Sequence, residues 1–103
     1  MNTLACSLAF LSAIFLSGTA FASEDLAKSK GCLGCHAVDH KVVGPSYKDV
    51  AAKYAGQPDV VPKLVEKVMK GGGGSWGQMP MPPNPQVSAD EASKLVQWVL
   101  GLK

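Results

Sequence analysis

The stretch GCLGCHAVDH, residues 31–40, sets two cysteines three positions apart with a histidine directly behind the second. Three chemistries use such a pair: a redox dithiol, half of a zinc site, or an anchor for haem. A thioredoxin-like dithiol belongs in a βαβ context, and no part of the chain reads as a strand. Structural zinc needs four ligands. Beyond Cys32, Cys35 and His36, only His40 and carboxylates remain, with no second cysteine pair. The C-x-x-C-H spacing is the attachment signature of c-type haem. Two thiols at this separation reach the two vinyl groups along one porphyrin edge, and the adjacent imidazole swings beneath the iron. The motif predicts one covalently bound haem c, anchored by Cys32 and Cys35, with His36 as an axial iron ligand.

Upstream of the motif, Leu4–Leu16 is almost wholly apolar or small and is followed by SGTAFAS. Ala20-Phe21-Ala22 has the small-x-small form of a signal-peptidase site, so residues 1–22 are expected to be a cleaved secretory signal peptide. The apolar run is too short for a mature membrane anchor. Removal of this leader takes Cys6 with it and leaves residues 23–103 as one small domain in an exported, periplasmic protein. Export suits the haem reading, because haem is joined to such motifs outside the cytoplasm.

All ten lysines and all eight acids lie after residue 22, there is no arginine, and the formal net charge is +2. That balance argues against nucleic acid, which calls for a more one-sided basic face. A domain this short buries little apolar surface of its own and generally needs a staple. A buried haem would supply it.

Four helices are expected, making an all-α fold. Ser23 is placed to cap a short helix from about Glu24 to Lys30, with Glu24 and Asp25 at its positive end and Gly31 as its stop. In SYKDVAAKYAG, residues 46–56, Tyr47, Val50 and Tyr54 share a side and Gly56 ends the element. Both tyrosines read as core-edge residues with wet hydroxyls. A third helix starts near Asp59, tolerates Pro62 in its first turn, turns Val61, Leu64, Val65 and Val68 inward, and stops at Gly71. The last begins with a capping box, Ser88 and Glu91, followed by an apolar stripe of Ala92, Leu95, Val96, Val99 and Leu102. Trp98, beside that stripe, reads as packing against haem or the first helix.

Between the last two helices lies GGGGSWGQMPMPPNPQ, residues 71–86. So many glycines and prolines exclude a regular element, and long loops in compact domains are usually functional. This one contains the residues that decide what the iron does. An open sixth position permits ligand binding or peroxide chemistry, whereas a methionine thioether closes it and favours ferrous iron. Met69 falls on a packing face and reads as core filler. Met81 stands between Pro80 and Pro82-Pro83, whose fixed φ angles stiffen the backbone behind a weak ligand; Met79, which also precedes a proline, is the second candidate.

Over residues 25–103 the chain resembles the small soluble bacterial class I cytochromes c of the c-551/c-552 type. The resemblance is carried by KGCLGCHAVDHKVVGPSYKDVAAKYAGQ, GSWGQMPMPPN and DEASKLVQWVLGLK. It implies about four helices around one haem, His36 as proximal ligand and Met81 as distal ligand. Pro45 would accept a hydrogen bond from the second ring nitrogen of His36, fixing the imidazole. Trp76 would donate its indole N–H to a haem propionate; its plainer role is an aromatic plug over the haem edge. The Asn84 amide would reach the methionine sulfur, and Lys67 stands where several relatives place an arginine near a propionate. GGGG is richer in glycine than the family pattern.

The expected function is a soluble periplasmic electron carrier, not an enzyme. Its partners would be a membrane quinol-oxidising complex upstream and a terminal oxidase or nitrite reductase downstream, with no nucleic acid, no membrane anchor and a monomeric state. The alternative is a haem peroxidase or gas-ligand sensor with a displaceable methionine. A peroxidase would need a distal His or Arg, and only His40, which reads as exposed and titratable, is to spare. Lys28, Lys30, Lys41, Lys48 and Lys53 either ring the haem edge and steer an acidic partner or form an ordinary solvated surface.

Overall fold

The computed structural model describes residues 19–103, with side-chain surroundings from residue 23 onward. The apolar leader Leu4–Leu16 and Cys6 lie outside the described residues. Four α-helices follow in order: α1 (Thr19–Ser29), α2 (Tyr47–Lys53), α3 (Val61–Lys70) and α4 (Ala89–Leu100). Short 3-10 turns occupy Cys32–Gly34 and Pro58–Val60. The described residues form no strand, only isolated bridges pairing His36 with Lys41 and Gly72 with Met81. No described helix is long and apolar enough to cross a membrane.

Local chemistry explains most boundaries. Ser46 caps α2 by accepting from Asp49 N–H, at 3.1 Å. The box at α4 is complete: Ser88 Oγ accepts from Glu91 N–H and Glu91 Oε1 accepts from Ser88 N–H. Gly31, Gly56 and Gly71 follow helical segments with φ of +81°, +75° and +72°, a region that glycine enters without steric penalty. The expected third helix is split: Pro58–Val60 makes the tighter turn and α3 proper begins at Val61.

The first helix differs from expectation. It is described from Thr19 onward, so Ser23 lies within it and caps nothing. Ala20, Phe21 and Ala22 contain no breaker, so the helical path runs unbroken from Thr19 into the chain proper.

Helix α4 is the organiser, packing against α1, α2 and α3 in turn. Ala92, Leu95, Val96 and Val99 are buried, as the stripe requires, whereas Leu102 falls beyond the end of α4 and is half-buried. Ala92 and Leu95 join Ala27 of α1 and Val87 in a core against which Leu33, Val65, Met69 and Trp98 pack. Met69 is therefore core filler and not a loop ligand. No large side chain is fully buried among the described residues. The apolar interior is instead gathered around a cavity.

Candidate haem-binding site

The cavity, ≈180 Å³, is walled by apolar side chains of α2, α3 and α4, among them Val50, Leu64, Val68, Leu95, Val96 and Val99. Cys32, Cys35, His36, Pro45, Lys67, Trp76, Met79 and Met81 also line it. The fold thus brings the motif and the loop, about 40 residues apart in sequence, to one site. Asn84 and His40 are not part of its lining.

The histidine is held on every side. His36 Nδ1 lies 2.7 Å from the Pro45 carbonyl oxygen. A carbonyl can only accept, so Nδ1 carries the proton and the Nε2 lone pair is left to face a metal. The same segment is pinned by backbone bonds from Val43 and Gly44 N–H to Cys35 O, and from Tyr47 N–H to Ala37 O. Tyr47, 8% exposed, stacks on the imidazole with ring centroids 5.0 Å apart, and its other side meets Trp98 edge-on at 5.5 Å. At 8% exposure Tyr47 lies deeper than the core-edge position expected of it. Tyr54 is half-buried and lines the cavity.

Gly44 explains itself by proximity. A Cβ there would lie 2.5 Å from His36 Cε1 and 2.9 Å from Nδ1. The imidazole has slid into the space that only glycine leaves open. Gly44 is not a turn glycine, for its φ is not left-handed; its one signal in the sequence is its place in VGP.

The thiols of Cys32 and Cys35 are free, the first half-buried and the second exposed. Burial pushes the Cys32 thiol above its ordinary pKa, opposed in part by the Tyr47 hydroxyl. Burial also raises Tyr47, with Cys32 adding to the effect, so the phenol stays protonated throughout the working pH range.

On the other side, the loop residues 72–80 are all exposed, and Met79 is 69% so. Met81, by contrast, is half-buried and paired to Gly72 through two backbone hydrogen bonds of 2.8 and 2.9 Å. Trp76 sits 42% exposed at the cavity rim with Lys53 Nζ 4.5 Å above its ring, and the same ammonium donates to Ser75 O at 2.7 Å. Lys67 lines the cavity, its Nζ lying over Gly72.

Asn84 does something other than expected. Its amide donates to Val68 O at 2.8 Å and to Pro82 O at 3.3 Å, while its Oδ1 accepts from Gln86 Nε2. Both amide protons are thus engaged with backbone, tying the end of α3, where the Val68 carbonyl lacks a helical partner, to the segment after Met81. Nor do the five lysines form a ring. Lys30 is bound to Gln86 O and Glu91 on the α1–α4 side, whereas the Lys53 ammonium lies over Trp76 at the rim. His40 is 70% exposed and bonded to Asp39, which lowers the Asp39 pKa.

The donor set suits haem c. Paired free thiols, an imidazole with a bare Nε2, a thioether on a stiff segment and apolar walls match a flat apolar macrocycle with a soft-ligand metal. Comparison with known proteins agrees. The family model for cytochrome c matches residues 22–103. Cytochrome c-551 of Azotobacter vinelandii is 58% identical over 75% of this chain and 93% of its own length. Cytochrome c-552 of Hydrogenobacter thermophilus is 53% identical over 85% of this chain and 89% of its own. The crystal structure of Nitrosomonas europaea cytochrome c552 superposes with a TM-score of 0.75 at 51% identity, covering 78% of this chain and 99% of that one. The chain belongs to the cytochrome c family, has its small class I fold, and is an electron-transfer protein carrying one covalently bound haem c.

Proposed function

We propose that this protein is an exported one-electron carrier in which Cys32 and Cys35 would hold the haem by thioether bonds and His36 and Met81 would ligate its iron. The observation that carries the reading is the convergence of both thiols, His36 and Met81 on one apolar cavity. When bound, haem iron supplies the reversible ferrous–ferric couple. The remaining steps belong to the chain. His36 presents Nε2 because Pro45 O holds the proton on Nδ1, and this contact strengthens its donation. Met81 offers a soft thioether that favours the ferrous state. The apolar walls exclude water and lower the reorganisation that a charge change demands. Lys67 and Trp76, which line the cavity, would meet the haem carboxylates. Met79 stays an exposed rim residue with no part in ligation.

Residues 1–22 are the leader removed on export, and the periplasm is the place of work. The partners are a quinol-oxidising membrane complex as donor and a terminal oxidase or nitrite reductase as acceptor, met through small, transient interfaces. Stopped-flow mixing of the holoprotein with such complexes tests this. Rapid bimolecular reduction and oxidation is the expected result, with no carbon monoxide binding to the ferrous form and no peroxide turnover. Ready carbon monoxide binding together with peroxide turnover would favour the peroxidase or gas-sensor alternative.

A further inference from the structure

The four glycines 71–74 are chemically identical, yet the fold treats each differently. Gly71 ends α3: its N–H donates to Lys67 O at 2.8 Å and its φ is +72°. Capping a helix requires no more than that. Gly72 then exchanges two hydrogen bonds with Met81, N–H to O in each direction, at 2.9 and 2.8 Å. Contact is so close at Gly71 that an added Cβ would strike Met81 O and lie 2.8 Å from both Pro82 C and Pro83 N. All three are backbone atoms of a proline-stiffened run and have nowhere to move. At Gly72 the same Cβ would meet only the end of the Lys67 side chain, 3.1 Å away. Gly74 has a φ of +93° but nothing within 4 Å.

We infer that Gly71 and Gly72 are positioning residues for Met81: the cap of α3 doubles as the template on which the methionine segment is laid. The inference rests on Met81 being an iron ligand. Asn84 completes the arrangement from the far side, its backbone N–H reaching Met69 O at 3.3 Å and its amide reaching Val68 O. The segment from Met81 to Asn84 is therefore fastened to the end of α3 at both ends. A side-chain ligand needs its backbone held to about 0.5 Å, and here the absence of a Cβ sets that distance.

The test compares three holoprotein variants, Gly71→Ala, Gly72→Ala and Gly74→Ala, by the near-infrared sulfur-to-iron band of the ferric form and by imidazole binding. Each places an alanine at a positive φ and strains the backbone, but only Gly71 and Gly72 adjoin the Met81 segment, the first by the contact its Cβ would make and the second by its two backbone hydrogen bonds. Gly71→Ala is expected to lose most of the band and to bind imidazole about tenfold more tightly, reflecting a larger methionine-off population. Gly74→Ala should match the wild type in both readouts despite a lower melting temperature. If Gly71→Ala yields no holoprotein, Gly72→Ala decides, with a partial loss of band expected. A wild-type band and imidazole affinity in whichever variant decides, or equal losses in Gly74→Ala, would overturn the inference. Met81→Ala separates the two ideas: if it abolishes the band and the deciding glycine variant does not, only the positioning role fails, whereas a band surviving Met81→Ala removes the ligand reading itself.

Discussion

The two sides of the haem site are built on different principles. The histidine side, residues 35–48, adds packing to its backbone hydrogen bonds: Tyr47 is buried against His36 and Trp98, Ser46 is 2% exposed, and Gly44 lets the imidazole close against backbone. The methionine side, residues 71–84, has almost no buried surface and is held by backbone conformation, through glycines of positive φ, prolines of fixed φ and hydrogen bonds back to α3. The difference teaches where each proposed ligand is vulnerable. Volume changes should damage the histidine side, and backbone changes the methionine side.

Gly44→Ala is the most severe way to probe this contrast. The new Cβ cannot coexist with the imidazole at 2.5 Å, so His36 must leave its bond to Pro45 O. We expect little or no low-spin holoprotein by absorption spectroscopy; a normal spectrum would show that the imidazole is free to shift. Tyr47→Ala comes next. Losing a buried aromatic ring costs about 3–5 kcal/mol, read as a lower denaturation midpoint of the holoprotein. By contrast Lys53→Ala, which removes the cation over the half-exposed Trp76, should cost only about 0.5–1 kcal/mol. If the Lys53 change equalled the Tyr47 change, the two sides would not differ as described.

Smallest of all is a pH effect remote from both sides. The Ser88 N–H and then Lys30 hold the Glu91 carboxyl below its ordinary pKa. A depressed carboxylate contributes stability above its unfolded pKa and loses it as pH falls through the folded one. Glu91→Gln should therefore melt slightly below wild type at neutral pH, and the gap should close in acid. A gap that widened in acid would contradict the cap.

What could be read from sequence was whatever depends on near neighbours. The C-x-x-C-H spacing, the Ser88–Glu91 box and the stripe of α4 are each local in the chain, and each reappears in the fold. The roles of Gly44 and Gly71 could not be read that way. They depend on where His36 and Met81 arrive after folding, the first eight residues before Gly44 and the second ten residues after Gly71. The same holds for Lys30, which looks like a surface cation in sequence but meets Gln86 and Glu91 across the packed end of α4. Asn84 was singled out correctly as a residue of the methionine segment, yet its amide is drawn to the unsatisfied carbonyls at the end of α3. Open helix ends compete for donors, and a linear reading does not rank such competitors.

The most direct measurement is the ferric holoprotein spectrum of Met81→Ala beside wild type at neutral pH. Loss of the near-infrared sulfur-to-iron band, with a high-spin signature in its place, is the result expected if Met81 closes the iron to everything but electrons. An unchanged low-spin spectrum with the band intact would contradict that and transfer the role to another residue.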